Sequence, residues 1–493
     1  MYHRVFNHRD EGDVMRANRF VVILSIVLVL PSVLLADSLA DDPGVASGIR
    51  LLESWIGTQI AYRDVPGITI GIIHGQELVW ASGLGYADRE NKIPAAPSTI
   101  FRIASISKLF TSISIMKLRD EGKLRLDDPV KKHLPWFDIK NRFSDAPVIT
   151  IRHLITHTSG LPREAAFPYW TDFEFPTREQ IRKALPEQET VYPSETRWKY
   201  SNLALALAGE IVAAVSGEPY EDYVSKNIIG PLGMTSTFVD IDESHPKLAV
   251  GYGRRMPDGS RSIQPFTDSK GLTPAANLSS TVEDFAKFAA WQLRLRKNGG
   301  AEILRASTLK EMQRVHWLQP DWRSGWGLGF AVWHSSERDI VGHGGHVAGY
   351  TTRFTLCPKE NIAVFVMTNA DDGDPGRYVD MAYKLLASAI TKAASPEEAA
   401  PKPDPAWKTF AGKYQDGWSD YEVLVYGGRL AIVFPQADDP LSSMQTLLPT
   451  GANTFVISGE GYGELGEKVV FELDASGNVA RMKIGENYSY PMK

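Results

Sequence analysis

The sequence predicts a large mixed α/β unit followed by a small antiparallel β domain. Three observations predict it. Helix-period segments alternate with short apolar runs from about residue 44 to residue 393. A Pro-, Ala- and charge-rich stretch, Lys392 to Pro405 (KAASPEEAAPKPDP), then interrupts the pattern with linker chemistry. Beyond it, strand-like runs come in pairs around turn residues. At roughly 150 residues per domain, the 493 residues are enough for about three domains.

The elements follow in order. Phe20 to Ala36 (FVVILSIVLVLPSVLLA) carries no charge, follows Arg16 and Arg19, and precedes the small residues Ser38 and Ala40. Basic, apolar and small-residue segments in that order predict an export signal over residues 1–40, cut near Ala40, with Met15 as an alternative start. An uncleaved anchor is the rival, since the run is close to the minimum for a span. Gly44 to Tyr62 places Ile49, Leu52, Ile56 and Ile60 on one helical face. Gly67 to Ile73 and Glu77 to Ser82 read as a strand pair. Helices are expected over Ser105 to Glu121, Asn202 to Val215, Val282 to Leu295, Arg305 to Val315 and Tyr378 to Thr391. Strands are expected over Ala331 to Trp333, Thr351 to Leu356 and Ile362 to Met367. The main domain thus covers 41–393, the linker 394–406 and the β domain 407–493. In the last, Glu422 to Tyr426 and Arg429 to Phe434 flank Gly427-Gly428, and Lys468 to Leu473 pairs with Val479 to Ile484.

Composition excludes several classes. Hydrophobic residues are 43 % and charged residues 23 %, ordinary for a globular chain and unlike disordered, collagenous or multi-span sequences. The net charge of −6, with no basic stripe, argues against a nucleic-acid partner. The single cysteine, Cys357, rules out an intrachain disulfide and a Cys-rich zinc module. It sits in a strand-like run and reads as an inert core thiol.

Three short motifs carry chemistry. In Ser105-Ile106-Ser107-Lys108 the serine and lysine share one helix face, one turn apart. A serine hydroxyl needs a base, and a lysine serves once burial or a nearby cation lowers its pKa. A helix N-terminus adds a positive field and free N–H groups. Tyr200-Ser201-Asn202 directly precedes a strong helix. A phenol there is a competent acid or base if cations depress its pKa, and Asn202 offers an amide to a substrate carbonyl or to the lysine. Gly342-His343-Gly344-Gly345-His346 lets a strand edge come close to a ligand. His343 could donate to a substrate anion or to the tyrosine.

In order and spacing the three motifs resemble the serine β-lactamase and penicillin-binding-protein superfamily, in its class C β-lactamase-like branch. His153 to Pro162 (HLITHTSGLP), Pro231 to Thr235 (PLGMT), Ser279 to Asp284 (SSTVED) and Gly327 to Phe330 (GLGF) are similar to further motifs of that branch. The resemblance spans about Gly44 to Ala393. It implies a β-lactamase-like α/β sandwich with an all-helical subdomain and a site between the two. Residue by residue, it implies Ser105 as the acylated nucleophile, with Lys108 and Tyr200 sharing the proton work. It implies Asn202 as the group positioning Lys108 and the substrate carbonyl, and His343 at the third motif's lysine or histidine position. The N–H groups of Ser105 and His346 would form the oxyanion hole, with Gly344 and Gly345 lining it.

The departures matter too. H-G-G replaces K-T-G, a histidine is mostly neutral at pH 7, and Gly344 lacks the hydroxyl that would bond a carboxylate. Both changes favour uncharged esters, amides or peptides over β-lactams. Ala276-Asn277 stands where the branch often has Gly-Gly. His153 and His157 have metal-ligand spacing, but Leu154 replaces the zincin glutamate, and His343 with His346 is an equally weak pair. No G-x-S-x-G elbow is present. The aromatic run Phe167 to Phe175 either walls the site or simply packs.

The sequence therefore predicts an exported, periplasmic or secreted, serine hydrolase acting on small esters, amides or D-amino-acid peptides through an acyl-enzyme. No cofactor, metal, nucleic-acid partner or lasting membrane span is expected. Two alternatives stand: a β-lactamase or D,D-carboxypeptidase, and a non-catalytic binder or sensor of cell-wall fragments.

Overall fold

The computed structural model describes residues 38–335, 338–395, 404–426, 428–434, 444–458 and 465–492. The expected signal stretch Phe20 to Ala36, most of the linker and Gly427 lie outside the described residues.

The main domain is built on a nine-stranded antiparallel sheet. In chain order its strands are β1 (Gly67–His74), β2 (Glu77–Asp88) and β3 (Ile93–Pro94), then, beyond a separate pair β4 (Phe101–Arg102) and β5 (Ser279–Ser280), β6 (Trp317–Leu318), β7 (Ser324–Trp326), β8 (Ala331–Ser335), β9 (Arg338–Val347), β10 (Tyr350–Cys357) and β11 (Ile362–Thr368). The spatial order is β3-β2-β1-β11-β10-β9-β8-β7-β6. The first and last segments of the domain thus meet at its centre, with Ile70 opposite Val366.

Both faces of the sheet are covered, which explains why β1 and β11 read as unbroken apolar runs. The period of two still sorts their side chains. Ile68, Ile70, Ile72, Val364 and Val366 pack under the helices Pro43–Arg63 and Pro375–Ala394. Ile73, Phe365 and Met367 face the other way, into the core shared with the helical region. There Phe285 of the helix Val282–Asn298 stacks on Phe365 at 4.0 Å between ring centres. Cys357 is buried at the end of β10, as expected of a core thiol.

The helical region lies in the chain between β4 and β6 and is centred on two buried helices, Ser107–Asp120 and Asn202–Ser216. Two of the resembling motifs meet here as structure. Thr281 caps its helix by accepting the Asp284 N–H at 3.1 Å, while the Asp284 carboxylate accepts from Ser236 N and Thr237 Oγ1 just after Pro231 to Thr235. Among the described residues no single helix is long and apolar enough to cross a membrane.

The C-terminal region is more closed than its sequence suggested. Eight strands, Gly412–Gln415, Asp420–Tyr426, Arg429–Val433, Gln445–Gly451, Thr454–Ser458, Lys468–Leu473, Val479–Ile484 and Asn487–Pro491, form a closed antiparallel barrel. The last strand pairs with the first through Gln415 and Tyr490. Phe410, Phe455 and Phe471 fill its interior, so it is a packed core.

Candidate active site

Ser105 stands in the short turn Ala104–Ile106 that opens the helix Ser107–Asp120. Ala104 holds a left-handed backbone, φ 50°, which is costly for an L residue and persists only where the surroundings over-determine it. They do: Ser107 Oγ donates to the Ala104 carbonyl at 2.6 Å and accepts the Leu278 N–H at 3.0 Å. Behind the turn, Arg102 is fully buried and donates to Thr267 O and to Asn277 Oδ1. Asn277 also accepts from Ser269 N and donates to Val239 O, so the loop that departs from Gly-Gly is a polar clamp on the strand leading to Ser105.

One turn along, Lys108 is 1 % exposed. Its Nζ lies 3.0 Å from Ser105 Oγ and donates to the Ala275 carbonyl at 2.8 Å. Burial pushes its pKa well below the usual lysine range; Glu164 opposes that shift and Arg163 reinforces it. A neutral amine with one N–H on Ala275 keeps a lone pair for the Ser105 proton. The spacing of the first motif therefore delivers a nucleophile and a base in contact.

Tyr200 precedes the helix Asn202–Ser216, whose N-cap, Ser201, accepts the Ala204 N–H and donates to the Pro162 carbonyl. The phenol is buried close enough to Ser105 for that side chain to act on its pKa. Lys108 Nζ lies 4.9 Å, and the Arg163 guanidinium 5.1 Å, from the Tyr200 ring centre. Burial nevertheless raises the phenol above its usual range, against the opposing effects of Ser105 and Arg163. The resting tyrosine is a neutral proton donor, not the cation-depressed phenolate that the sequence allowed for.

The expected contact between Asn202 and Lys108 is not formed. Asn202 Nδ2 donates to both oxygens of Glu164 at 2.9 Å, and its Oδ1 is buried without a partner. Glu164 wins the amide because a carboxylate is the stronger acceptor and Arg163 O also ties down the Asn202 backbone N–H. Tyr169 OH donates to the same carboxylate, so the aromatic run Phe167 to Phe175 braces Glu164 from outside.

The third motif forms the end of β9. β8 pairs with β9 only as far as Ala331 opposite Gly342, while β10 continues to Tyr350 opposite Val347. The backbone from His343 to Val347, including Gly344, Gly345 and His346, therefore keeps one free edge. A Cβ on Gly345 would lie 2.2 Å from the Ile103 carbonyl, so glycine is what lets this edge approach the nucleophile turn. His346 has an exposed side chain, 3.4 Å from Asp371.

The expected donor role of His343 is corrected. Its Nδ1 bonds to the Gly344 carbonyl, which only accepts, so Nδ1 carries the proton. Burial, with Lys108 and Arg353, holds its pKa down to about 3. The ring is neutral, and its buried Nε2 is an unpartnered acceptor, not a donor.

His153 and His157 do not form a metal pair. His153 completes the capping box of its helix and bonds to Glu195 at 3.0 Å. His157 Nδ1 accepts the Ser201 N–H, and its ring packs on Tyr200 at 4.4 Å. Glu164, Trp198 and Trp326 escaped notice as site residues, and His157 was weighed only as a metal ligand. The only signal was position: Glu164 directly follows the HTSGLPR run, and Trp198 lies two residues before Tyr200.

Comparison with known proteins agrees with this geometry. The family described as Beta-lactamase matches residues 52–389. Beta-lactamase-like protein 2 of Dictyostelium discoideum is 31 % identical over 353 residues, 70 % of this chain and 64 % of that protein. This chain thus spans a little under two thirds of that relative's length. The octameric penicillin-binding protein homologue of Pyrococcus abyssi is 28 % identical with a TM-score of 0.60, covering 90 % of this chain and 99 % of that one. D-amino acid amidase from Ochrobactrum anthropi SV3, complexed with L-phenylalanine amide, is 25 % identical with a TM-score of 0.58, covering 70 % and 99 %. With the sheet, the helical region and the match over most of its length in agreement, the chain belongs to the Beta-lactamase family.

Proposed function

We propose that the protein is a serine hydrolase that cleaves small esters, amides or D-amino-acid peptides through an acyl-enzyme on Ser105. The observation that carries this reading is the 3.0 Å contact between Ser105 Oγ and a buried, acidified Lys108. Lys108 takes the Ser105 proton as Oγ bonds to the carbonyl carbon. The oxyanion is held by the N–H groups of Ser105 and His346. Tyr200 gives its proton to the leaving nitrogen or oxygen, and the Lys108 ammonium below its ring stabilises the phenolate until the proton returns. Water then reverses the sequence at the acyl-enzyme.

Glu164 supports an acyl group bearing an ammonium. It is a carboxylate held beside Asn202 whose charge already reaches Lys108. The similarity to a D-amino acid amidase points the same way. The neutral His343 argues against β-lactamase or D,D-carboxypeptidase action that relies on a third-motif cation. The complete Ser105, Lys108 and Tyr200 set argues against a sensor that is acylated and never released. Export on the Phe20 to Ala36 signal is part of this proposal, and sequencing the mature N-terminus tests it.

Labelling by a fluorophosphonate probe, read by intact mass, is expected in the wild type and absent in Ser105→Ala. Labelling that survives the substitution refutes the assignment. Acylation without release would turn the reading towards the sensor.

A further inference from the structure

The Ile103 carbonyl, two residues before Ser105, joins three segments of the chain. It accepts the Ile106 N–H at 3.2 Å, which closes the turn that carries the nucleophile. It also accepts the hydroxyl of Thr352, on β10, again at 3.2 Å. Thr352 stands opposite Gly345 of β9. A Cβ on Gly345 would lie 2.2 Å from the Ile103 oxygen and 2.3 Å from Thr352 Oγ1. Nucleophile turn, β9 and β10 therefore meet at one oxygen atom. On its other side Ile103 is fixed as well, by its own N–H on the Leu278 carbonyl at 2.9 Å.

Thr352 is 2 % exposed, and a hydroxyl has a single proton to give. The other two threonines of β10 spend theirs within the sheet. Thr351 Oγ1 bonds to Thr368 Oγ1 and donates to the Ala370 carbonyl, and Thr355 Oγ1 donates to the Val364 carbonyl. Thr352 is the one that leaves the sheet and reaches the segment carrying Ser105.

We infer that Thr352 is a positioning residue that sets the spacing of the two oxyanion donors. One donor, the Ser105 N–H, lies two residues beyond Ile103. The other, the His346 N–H, lies one residue beyond Gly345. They belong to separate segments, so the Ile103, Thr352 and Gly345 junction fixes their separation. Gly345 allows the close approach, and the Thr352 hydroxyl holds the two segments at it. Thr352 touches neither substrate nor reacting atoms and acts only through these two N–H groups. The inference rests on the reading of Ser105 as the acylated nucleophile.

The test compares p-nitrophenyl acetate with its thionoacetate counterpart. Sulfur is larger than oxygen and a weaker acceptor, so a hole spaced for an oxyanion favours the oxo ester. Thr352→Ala and the near-isosteric Thr352→Val both remove the hydroxyl. Each is expected to lower kcat/KM for the oxo ester by roughly ten- to hundredfold, the effect of misplacing or weakening one donor. The thiono ester is expected to lose less, so the oxo-to-thiono ratio falls. Thr352→Ser, which keeps the hydroxyl, is expected to restore the ratio. A threonine with only a structural role would lower the urea midpoint and leave the ratio at its wild-type value. An unchanged ratio in folded Thr352→Ala or Thr352→Val overturns the inference, as does a ratio in Thr352→Ser as low as in Thr352→Ala. If Thr352→Val does not fold, Thr352→Ala and Thr352→Ser decide. A wild type that neither takes the fluorophosphonate label nor turns over either ester refutes the hydrolase reading, and the role of Thr352 with it. A labelled, active wild type whose ratio is indifferent to the hydroxyl refutes the role of Thr352 alone.

Discussion

His343→Asn should change the pH dependence of stability, not only its level. Folded His343 has a pKa near 3 against 6.5 unfolded, because burial and the nearby Lys108 and Arg353 charges disfavour the imidazolium. Below the unfolded value, the unfolded chain binds a proton that the folded chain refuses. The wild type therefore loses stability as pH falls from about 6.5 towards 3, at up to roughly 1.4 kcal/mol per unit. Integrated from about pH 6 to about pH 4, this single group accounts for about 2–3 kcal/mol. The asparagine variant loses the ring packing on Trp326 at every pH, which is a constant offset, but it no longer has this slope. His157 is held neutral in both proteins, first by burial and then by Lys108, with Arg163 assisting, and the variant removes only the smaller contribution of His343. Urea unfolding followed by tryptophan fluorescence measures the difference, since only Trp407 and Trp418 of the twelve tryptophans lie beyond the main domain. The variant is expected to gain on the wild type by about 2–3 kcal/mol between the two pH values. Parallel curves would show that His343 is protonated or solvated in the fold, and the acceptor assignment of Nε2 would fall with them.

Lys108→Met should lower kcat/KM on a neutral ester by roughly 10²–10⁴-fold, the usual weight of a positioned base. The acidic limb of the wild-type profile should rise as Lys108 loses its proton. Glu164→Gln should move that limb to lower pH, because Glu164 raises the Lys108 pKa, and Arg163→Met should move it to higher pH. Gly345→Ala should cost on the order of 1–3 kcal/mol as overpacking, and most of the activity, since its Cβ meets the Ile103 carbonyl; urea unfolding and ester turnover measure the two effects. Asn277→Ala should destabilise by about 1.5–3 kcal/mol, because it strips the fully buried Arg102 of its side-chain hydrogen-bond partner; thermal unfolding measures it.

What the sequence made legible was local. Ser105 and Lys108 are one helical turn apart, so their contact follows from spacing alone. Tyr200 was legible from its place before a capped helix, and β9 from its glycines. The partners set by long-range register were hidden. Nothing near Arg353 says that β10 lays it opposite Gly344, and nothing near Glu164 says that it will take the amide of Asn202. The same limit applies to the barrel: the hairpins around Gly428 and around Asp474 to Asn478 are local patterns, but its closure joins Gln415 to Tyr490, at opposite ends of the segment. His153 and His157 show the converse error, in which a helical spacing suggested one site and the fold gave each ring its own neighbour.

The H-G-G substitution reverses the polarity of the third motif. A lysine there would be a cation and a donor facing Tyr200, and would itself help to acidify Lys108. A neutral histidine with Nδ1–H bound to Gly344 offers a lone pair instead. The shift of Lys108 must then come from elsewhere, and the structure traces it to burial first, with Arg163 from the opposite side of the site as the assisting cation. Arg163 stands above the Tyr200 ring and also pairs with Glu164, the group that opposes it. The strength of the base is therefore set by a balance between two adjacent residues. Anything that draws Glu164 away from Lys108, including an ammonium on the substrate, makes Lys108 a more acidic ammonium and so a more fully deprotonated amine. The prediction is that kcat for an ester carrying an α-ammonium, which reports the substrate complex, keeps its value to lower pH than that for the same ester without it, and that Glu164→Gln removes the difference. Equal acidic limbs for the two esters in the wild type would refute this coupling.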